Sequence, residues 1–212
     1  DDHPDLSQFD GNPQGFRIVS FLGGADAFGL NLTCTLLLSM VKYPWTYNTK
    51  PKTEKKIGLF RSDWAYYESA CAKLGWSPEK KFPLMRVMEA ADNIAYAMSD
   101  LEDGLEKKIV SLKDLMQQFG SERFKTDQIP PFVKFKTSVI SDAVSLAAAT
   151  FTKEEDKIMA GEETQLIDKQ SEIGALLDSV KTFARETIYS SREAERIELA
   201  GRSVILGLLK HF

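Results

Sequence analysis

Apolar residues recur at intervals of three and four along most of the chain, and this spacing predicts helices. The longest helix is expected over residues 82–107, where Pro83 provides a favourable first turn. No alternation of apolar and polar residues extends far enough to indicate a sheet, although residues 57–60 could form one short strand. The pattern therefore predicts an all-α protein.

Capping and stop signals divide this pattern into separate helices. A hydroxyl residue followed three positions later by an acid predicts a capping box at Ser111/Asp114, Thr152/Glu155 and Ser190/Glu193. Caps are also expected near Asn12, Thr33 and Ser62, with glycine stops at Gly75 and Gly120. The polar stretch 121–131 ends in two prolines. It suggests a division of the chain into residues 1–120 and 121–212.

Composition narrows the class of protein. The 212 residues are 43% hydrophobic and 27% charged, which is typical of a folded domain and not of a disordered chain. No apolar run is long enough for a membrane span, so we expect a soluble, cytoplasmic protein. The net charge of −4 gives no overall case for nucleic-acid binding. The sequence has no signal peptide or initiator methionine, and it looks like a piece of a longer protein.

The helix predicted over 82–107 carries a stripe of polar side chains. Asp92, Tyr96 and Asp100 are spaced by four residues, which places them on one helix face. Residues 87–106 contain six acids and no basic residue. These side chains could hold a cation or a polar ligand, or they could simply be surface residues of a solvated helix.

A basic segment covers residues 42–61. It contains six basic residues and one acid, and aromatic side chains lie between them. Such a mixture suits a ligand that has phosphates and an aromatic base. The alternative is a solvated loop in which Lys42 only complements the negative end of the preceding helix.

The residues alone do not complete a catalytic site. A hydrolytic metal site needs several ligands, whereas the two histidines, His3 and His211, lack metal-ligand spacing. Cys34 and Cys71 are far apart and suggest neither a disulfide framework nor a zinc site. The sequence also lacks the glycine-rich phosphate loops and the GxSxG motif of nucleophilic hydrolases.

Five motifs in one order resemble a known family. They are FDGNPQGFRIV, LNLT followed by VKYPW, KKIGLF, FPLMRVMEAADNIAYAMSDLEDGLEK and ERIELAG. Together they resemble the C-terminal half of bacterial deoxyguanosinetriphosphate triphosphohydrolases (dGTPases) of the HD-domain superfamily. The resemblance implies an all-α, phosphodiesterase-like helical bundle. Residues 1–120 would be the C-terminal part of the catalytic core, and residues 121–212 a helical subdomain.

The resemblance also implies an activity and a cofactor. Such enzymes are hydrolases that convert a deoxynucleoside triphosphate, here expected to be dGTP, into the deoxynucleoside and inorganic triphosphate. They use a divalent cation, Mg²⁺ or Mn²⁺, held by a histidine, a His-Asp pair and a later aspartate. Asp92 matches that last aspartate.

Further matches imply substrate contacts. Tyr96 and Asp100 match positions that pack on the deoxyribose and recognise its 3′-hydroxyl. The positions expected to face the phosphates are Asn12, Lys42, Tyr43 and Lys56. Arg196 and Arg202 are additional candidates, because they lie in a segment that approaches a neighbouring subunit in such proteins.

Departures from the family pattern limit what this chain is expected to do. The histidine and the His-Asp pair are absent, so the isolated chain is expected to be inactive without an upstream HD half. Asn93 replaces a second aspartate that the family usually carries. The resemblance implies a homo-oligomer and a single-stranded DNA effector, and no membrane association is expected. The alternative is a helical module that binds nucleotide or single-stranded DNA, or mediates oligomerisation, without catalysis.

Overall fold

The computed structural model describes residues 4–24 and 28–212 and contains no strand in these ranges. Its α-helices are α1 (Gly11–Arg17), α2 (Cys34–Ser39), α3 (Trp64–Lys73), α4 (Met85–Glu106), α5 (Leu112–Phe119), α6 (Pro131–Lys153), α7 (Glu155–Met159), α8 (Glu172–Phe183) and α9 (Arg192–His211). Short π-helical segments extend α1 and α8 over Ile18–Leu22 and Ala184–Ile188. The all-α fold class is confirmed, and the helical content is consistent with an HD-domain-like fold.

The chain divides into two compact units. One contains residues 1–90 and 150–166, and the other contains residues 91–149 and 167–212. These units do not coincide with a division at residue 120, because α4 and α6 each contribute residues to both. The assignment of residues 1–120 to a catalytic core remains a prediction.

The first unit has its core between the early helices. Thr33 begins α2 as expected, since its hydroxyl accepts a hydrogen bond from the Leu36 amide at 3.2 Å. The buried residues Leu38, Tyr67 and Cys71 belong to one apolar cluster with Phe16. This cluster packs α1, α2 and α3 together and includes Leu59 of the basic segment.

The second unit is built on aromatic and aliphatic packing. Phe124 and Phe135 stack with their ring centroids 4.4 Å apart, and both are buried. Helix α4 contributes fully buried Leu101 to the same core. At Gly104 an added Cβ would lie only 2.6 Å from Ile188, so this glycine allows close packing against α4.

Several predicted helix ends are confirmed. Ser111 and Asp114 form the expected reciprocal capping box at the start of α5. Gly75 and Gly120 end α3 and α5 with φ of +63° and +88°, conformations that glycine adopts without strain. These ends are set locally, which explains why short sequence signals located them.

Other predicted ends are wrong. No capping box forms at Thr152, because α6 continues to Lys153. At α9 the cap is Ser191, and the Ser190 hydroxyl donates instead to the Glu186 carbonyl.

Two further corrections concern the first unit. Asp10, not Asn12, caps α1, and α3 follows a 3-10 turn without a Ser62 cap. In each case a neighbouring residue or a continuing helix supplies the hydrogen bonds that the predicted cap would have made.

The expected strand at residues 57–60 does not form. The Gly58 amide donates to the Trp45 carbonyl at 3.2 Å as part of a folded loop. A Cβ on Gly58 would lie 2.1 Å from the Tyr43 carbonyl oxygen. Residues 57–60 are apolar because they are buried within the folded loop. In the sequence, such a short buried run has the same apolar pattern as a strand.

Helix α9 differs from the others because none of its residues is buried. Its exposed apolar side chains include Ile197, Val204, Ile205 and Leu208. Within the described ranges, no helix combines the length and the apolar character needed to cross a bilayer.

Candidate functional site

The polar stripe of α4 lies on one helix face as predicted. Asp92 and Asp100 are half-buried, and Tyr96 is 63% exposed. Ile94 and Leu101, which lie between or beside them in sequence, are buried in the core of the second unit. The core side of α4 thus fixes the helix, while the stripe stays accessible to a ligand.

Asn93, where the family usually has aspartate, has a cationic partner. The Lys181 ammonium of α8 donates a hydrogen bond to the Asn93 side-chain oxygen at 3.0 Å. This positive charge therefore lies beside the residue that follows Asp92. No local sequence signal points to Lys181, because the pairing joins positions 88 residues apart.

Asp100 has a partner that sequence reasoning also missed. The Tyr189 hydroxyl lies beside the Asp100 carboxylate and interacts with it. Partial burial, the interaction with Asp100 and the nearby negative charge of Asp103 raise the pKa of Tyr189 to about 12. The stripe residue Asp100 therefore has a neutral phenol as its neighbour.

The basic segment is a structured loop. The Trp45 indole N–H donates to the Lys56 carbonyl at 2.8 Å, which joins the two ends of the loop. The rings of Tyr43 and Trp45 pack with centroids 5.8 Å apart. These contacts fix the main chain on either side of the exposed lysines in between.

Lys42 is part of an ion-pair chain within the first unit. Its ammonium lies 3.8 Å from Glu89, which lies 3.8 Å from Arg86. Arg86 is 5% exposed and also pairs with Glu163 at 2.9 Å. Lys42 is therefore partly neutralised by a carboxylate one helical turn before Asp92 on α4.

Asn12 and Lys56 converge on Asp10. One Asp10 oxygen accepts hydrogen bonds from the main-chain N–H of Asn12 at 3.0 Å and from the side-chain amide of Asn12. The other Asp10 oxygen lies 3.4 Å from the Lys56 ammonium. Burial alone would raise the pKa of Asp10, but the hydrogen bonds of Asn12 and the charge of Lys56 outweigh it and lower that pKa. Asp10 is thus a carboxylate held among donors that were predicted to face phosphates.

The predicted site residues fall into two groups. In the first unit, Asn12 and Lys56 meet at Asp10, whereas Lys42 pairs with Glu89 and Tyr43 packs on Trp45. In the second unit, the predicted residues share the stripe of α4 or the exposed surface of α9, where Arg196 and Arg202 lie.

Asp92 is the one predicted metal ligand that this chain contains. Asp92 is a half-buried carboxylate on a well-anchored helix, which suits a divalent cation. Among residues 4–24 and 28–212, no group of three or more histidine, cysteine, aspartate or glutamate side chains is arranged to hold a metal. The described residues alone do not make a metal site.

Comparison with known proteins supports the resemblance drawn from the motifs. The chain is 31% identical over 240 aligned positions to a deoxyguanosinetriphosphate triphosphohydrolase of Enterobacter sp. (strain 638). Similar relatives of the same name come from Klebsiella pneumoniae (strain 342), 29% identical, and Salmonella paratyphi A, 30% identical. Each alignment covers 97% of this chain and 46% of the relative. No family model matches the chain.

The similarity to deoxyguanosinetriphosphate triphosphohydrolases is thereby confirmed. The chain spans about half the length of the curated relatives it matches. That coverage is consistent with the interpretation of the sequence as half of such a protein.

Proposed function

We propose that this chain is part of a deoxynucleoside triphosphate triphosphohydrolase, which converts dGTP and water into deoxyguanosine and inorganic triphosphate. The observation that carries the proposal is its similarity, over 97% of its length, to relatives that are named for this activity. The protein would act in the cytoplasm as a homo-oligomer, with single-stranded DNA as a candidate effector.

The first unit would bind the triphosphate. Lys42 and Lys56 offer ammonium groups and Asn12 offers an amide donor, and charge-assisted hydrogen bonds to phosphate oxygens are among the stronger polar contacts in proteins. Tyr43 would lie against the phosphates with its ring supported by Trp45. The folded loop supports this role, because its internal hydrogen bonds reduce the ordering that binding would require.

The polar stripe of α4 would bind the metal ion and the deoxyribose. Asp92 would supply one carboxylate ligand to Mg²⁺ or Mn²⁺, and the other ligands would come from an HD half outside this chain. Tyr96 would pack on the deoxyribose, and Asp100 would accept a hydrogen bond from its 3′-hydroxyl. Tyr189 supports this assignment because its hydroxyl interacts with the Asp100 carboxylate and so adds a polar group beside the proposed sugar contact.

The isolated chain is expected to be inactive under this proposal. Its relatives are about twice as long, and one plausible metal ligand is present where the family uses four. The purified chain should release no inorganic triphosphate from dGTP in the presence of Mn²⁺. Release of triphosphate by the chain alone would overturn the claim that an upstream half is required.

Binding can be tested in the chain itself. Lys42→Gln and Lys56→Gln should each weaken binding of inorganic tripolyphosphate, measured by titration calorimetry, because each removes a cation from the predicted phosphate contacts. Lys52→Gln, at another exposed position of the same loop, is the matched control for a change of net charge. Equal affinity in all variants would favour a merely solvated loop.

A second candidate function is a binding or assembly module without catalysis. Helix α9 favours it, since a helix with no buried residue and several large exposed apolar side chains is typical of an interaction surface. Its Arg196 and Arg202 would then contact a neighbouring subunit. The two candidates differ in one result. If the chain is a binding module, it would bind dGTP or single-stranded DNA, but a protein that contains it would not hydrolyse dGTP.

A further inference from the structure

Asp10 lies where three donors converge. The main-chain and side-chain N–H groups of Asn12 bind one carboxylate oxygen, and the Lys56 ammonium lies 3.4 Å from the other. The Asp10 side chain is 25% exposed and that of Lys56 is 54% exposed, so solvent and solutes can reach this pair.

The loop holds Lys56 close to Asp10. The Lys56 carbonyl accepts the Trp45 indole N–H, which fixes the main chain from which the lysine side chain extends. Asp10 is fixed in turn as the cap of α1. The ion pair therefore joins a carboxylate fixed at a helix cap to a lysine whose main chain is held in place.

A carboxylate and a phosphate compete for the same donors. Both present anionic oxygens to ammonium and amide groups, and an ammonium paired with a carboxylate must give up part of that interaction when it binds a phosphate. Lys56 and Asn12 are the residues that the proposed function assigns to the triphosphate, and Asp10 occupies donors of both.

We propose that Asp10 is an internal competitor for the triphosphate at Lys56 and so limits the affinity of the chain for substrate phosphates. The inference rests on the proposed function, because it assumes that Lys56 faces the triphosphate. Asp10 is a residue that tunes binding. It is not assigned to the reacting atoms.

Asp10→Asn tests the competition while keeping the cap of α1. Asparagine caps helices about as well as aspartate, so its side-chain oxygen can still accept the hydrogen bond of the Asn12 amide. The substitution removes the negative charge that pairs with Lys56 and keeps the size of the side chain. Thermal unfolding should confirm that the helix and the loop remain intact.

The test is calorimetric binding of inorganic tripolyphosphate to the chain. Asp10→Asn should bind it about two- to five-fold more tightly than the unsubstituted chain, which is the range expected when an exposed ion pair is relieved. The gain should disappear when Asp10→Asn is combined with Lys56→Gln. Asp127→Asn, an exposed aspartate in the other unit, changes the net charge equally and should produce no gain.

The outcomes separate this inference from the proposed function. Unchanged or weaker binding by Asp10→Asn, or a gain that persists without Lys56, would overturn the competition. If Lys56→Gln lowers affinity while Asp10→Asn has no effect, only the competition fails. If Lys56→Gln and the unsubstituted chain bind equally, or neither binds, the phosphate role of Lys56 fails and the competition fails with it.

Discussion

The Lys181 ammonium lies 3.0 Å from the Asn93 side-chain oxygen, immediately after the predicted metal ligand Asp92. Replacing Asn93 by aspartate would turn this hydrogen bond into an ion pair between partly buried groups. Asn93→Asp should therefore raise the free energy of unfolding by about 0.5–1 kcal/mol, as measured by urea denaturation at neutral pH.

The matched control removes the cation. In a Lys181→Gln background, Asn93→Asp should bring no gain, because the cation that would pair with the new carboxylate is absent. A gain of equal size in both backgrounds would contradict the pairing.

The loop around Tyr43 should be destabilised when one methyl group is added at Gly58. In Gly58→Ala the added Cβ would lie 2.1 Å from the Tyr43 carbonyl oxygen, a distance that forces the main chain to shift. We expect destabilisation of about 1–3 kcal/mol, together with weaker tripolyphosphate binding, because the shift would displace the loop that carries Lys42 and Lys56.

Gly15→Ala provides the comparison for this substitution. Gly15 lies within α1 and has open space where the Cβ would go. Alanine there should be neutral or stabilise by up to about 1 kcal/mol, since it lowers the entropy of the unfolded chain. Similar losses from both substitutions would show that the close approach at Gly58 is not the cause.

The helix positions could be predicted well from the sequence because their signals are local. Four-residue spacing placed Asp92, Tyr96 and Asp100 on one face, and the Ser111/Asp114 box located the start of α5. Cap identity was less predictable where two candidates adjoin, as at Ser190 and Ser191, since the choice depends on how the preceding π-helical segment ends.

The partners of the predicted site residues could not be obtained in this way. Lys181 reaches Asn93 across 88 positions, and Tyr189 reaches Asp100 from the end of another helix. Such pairs depend on how α4 and α8 pack, and no periodicity encodes them. Asp10 was visible in the FDGNPQ motif, but only the folded loop brings Lys56 to it.

The hydroxyl of Tyr189 should lose its proton at a higher pH than an ordinary tyrosine does. Its pKa of about 12 lies above the ordinary value of 10.0, so the unfolded chain loses this proton first as the pH rises. The stabilising effect is therefore fully present below pH 10 and should be lost between about pH 10 and pH 12. Difference absorbance of tyrosinate at 295 nm, with Tyr189→Phe as the reference, would measure this titration.

Asp100→Asn tests the cause of the shift. Removing the carboxylate charge takes away part of what disfavours tyrosinate, so the Tyr189 pKa should fall toward 10 while the fold is kept. A midpoint unchanged from that of the unsubstituted chain would mean that Asp100 does not hold the Tyr189 proton.

The most direct test of the proposed activity is the release of inorganic triphosphate from dGTP by a protein that joins this chain to the proposed upstream HD half. Loss of outer-shell partners of a metal site typically costs 10- to 100-fold, so loss of the ligand itself in Asp92→Asn should reduce the rate by about 100-fold or more. Asp127→Asn should retain the unsubstituted rate. Triphosphate release that survives Asp92→Asn, or release of single phosphates in place of triphosphate, would contradict the account.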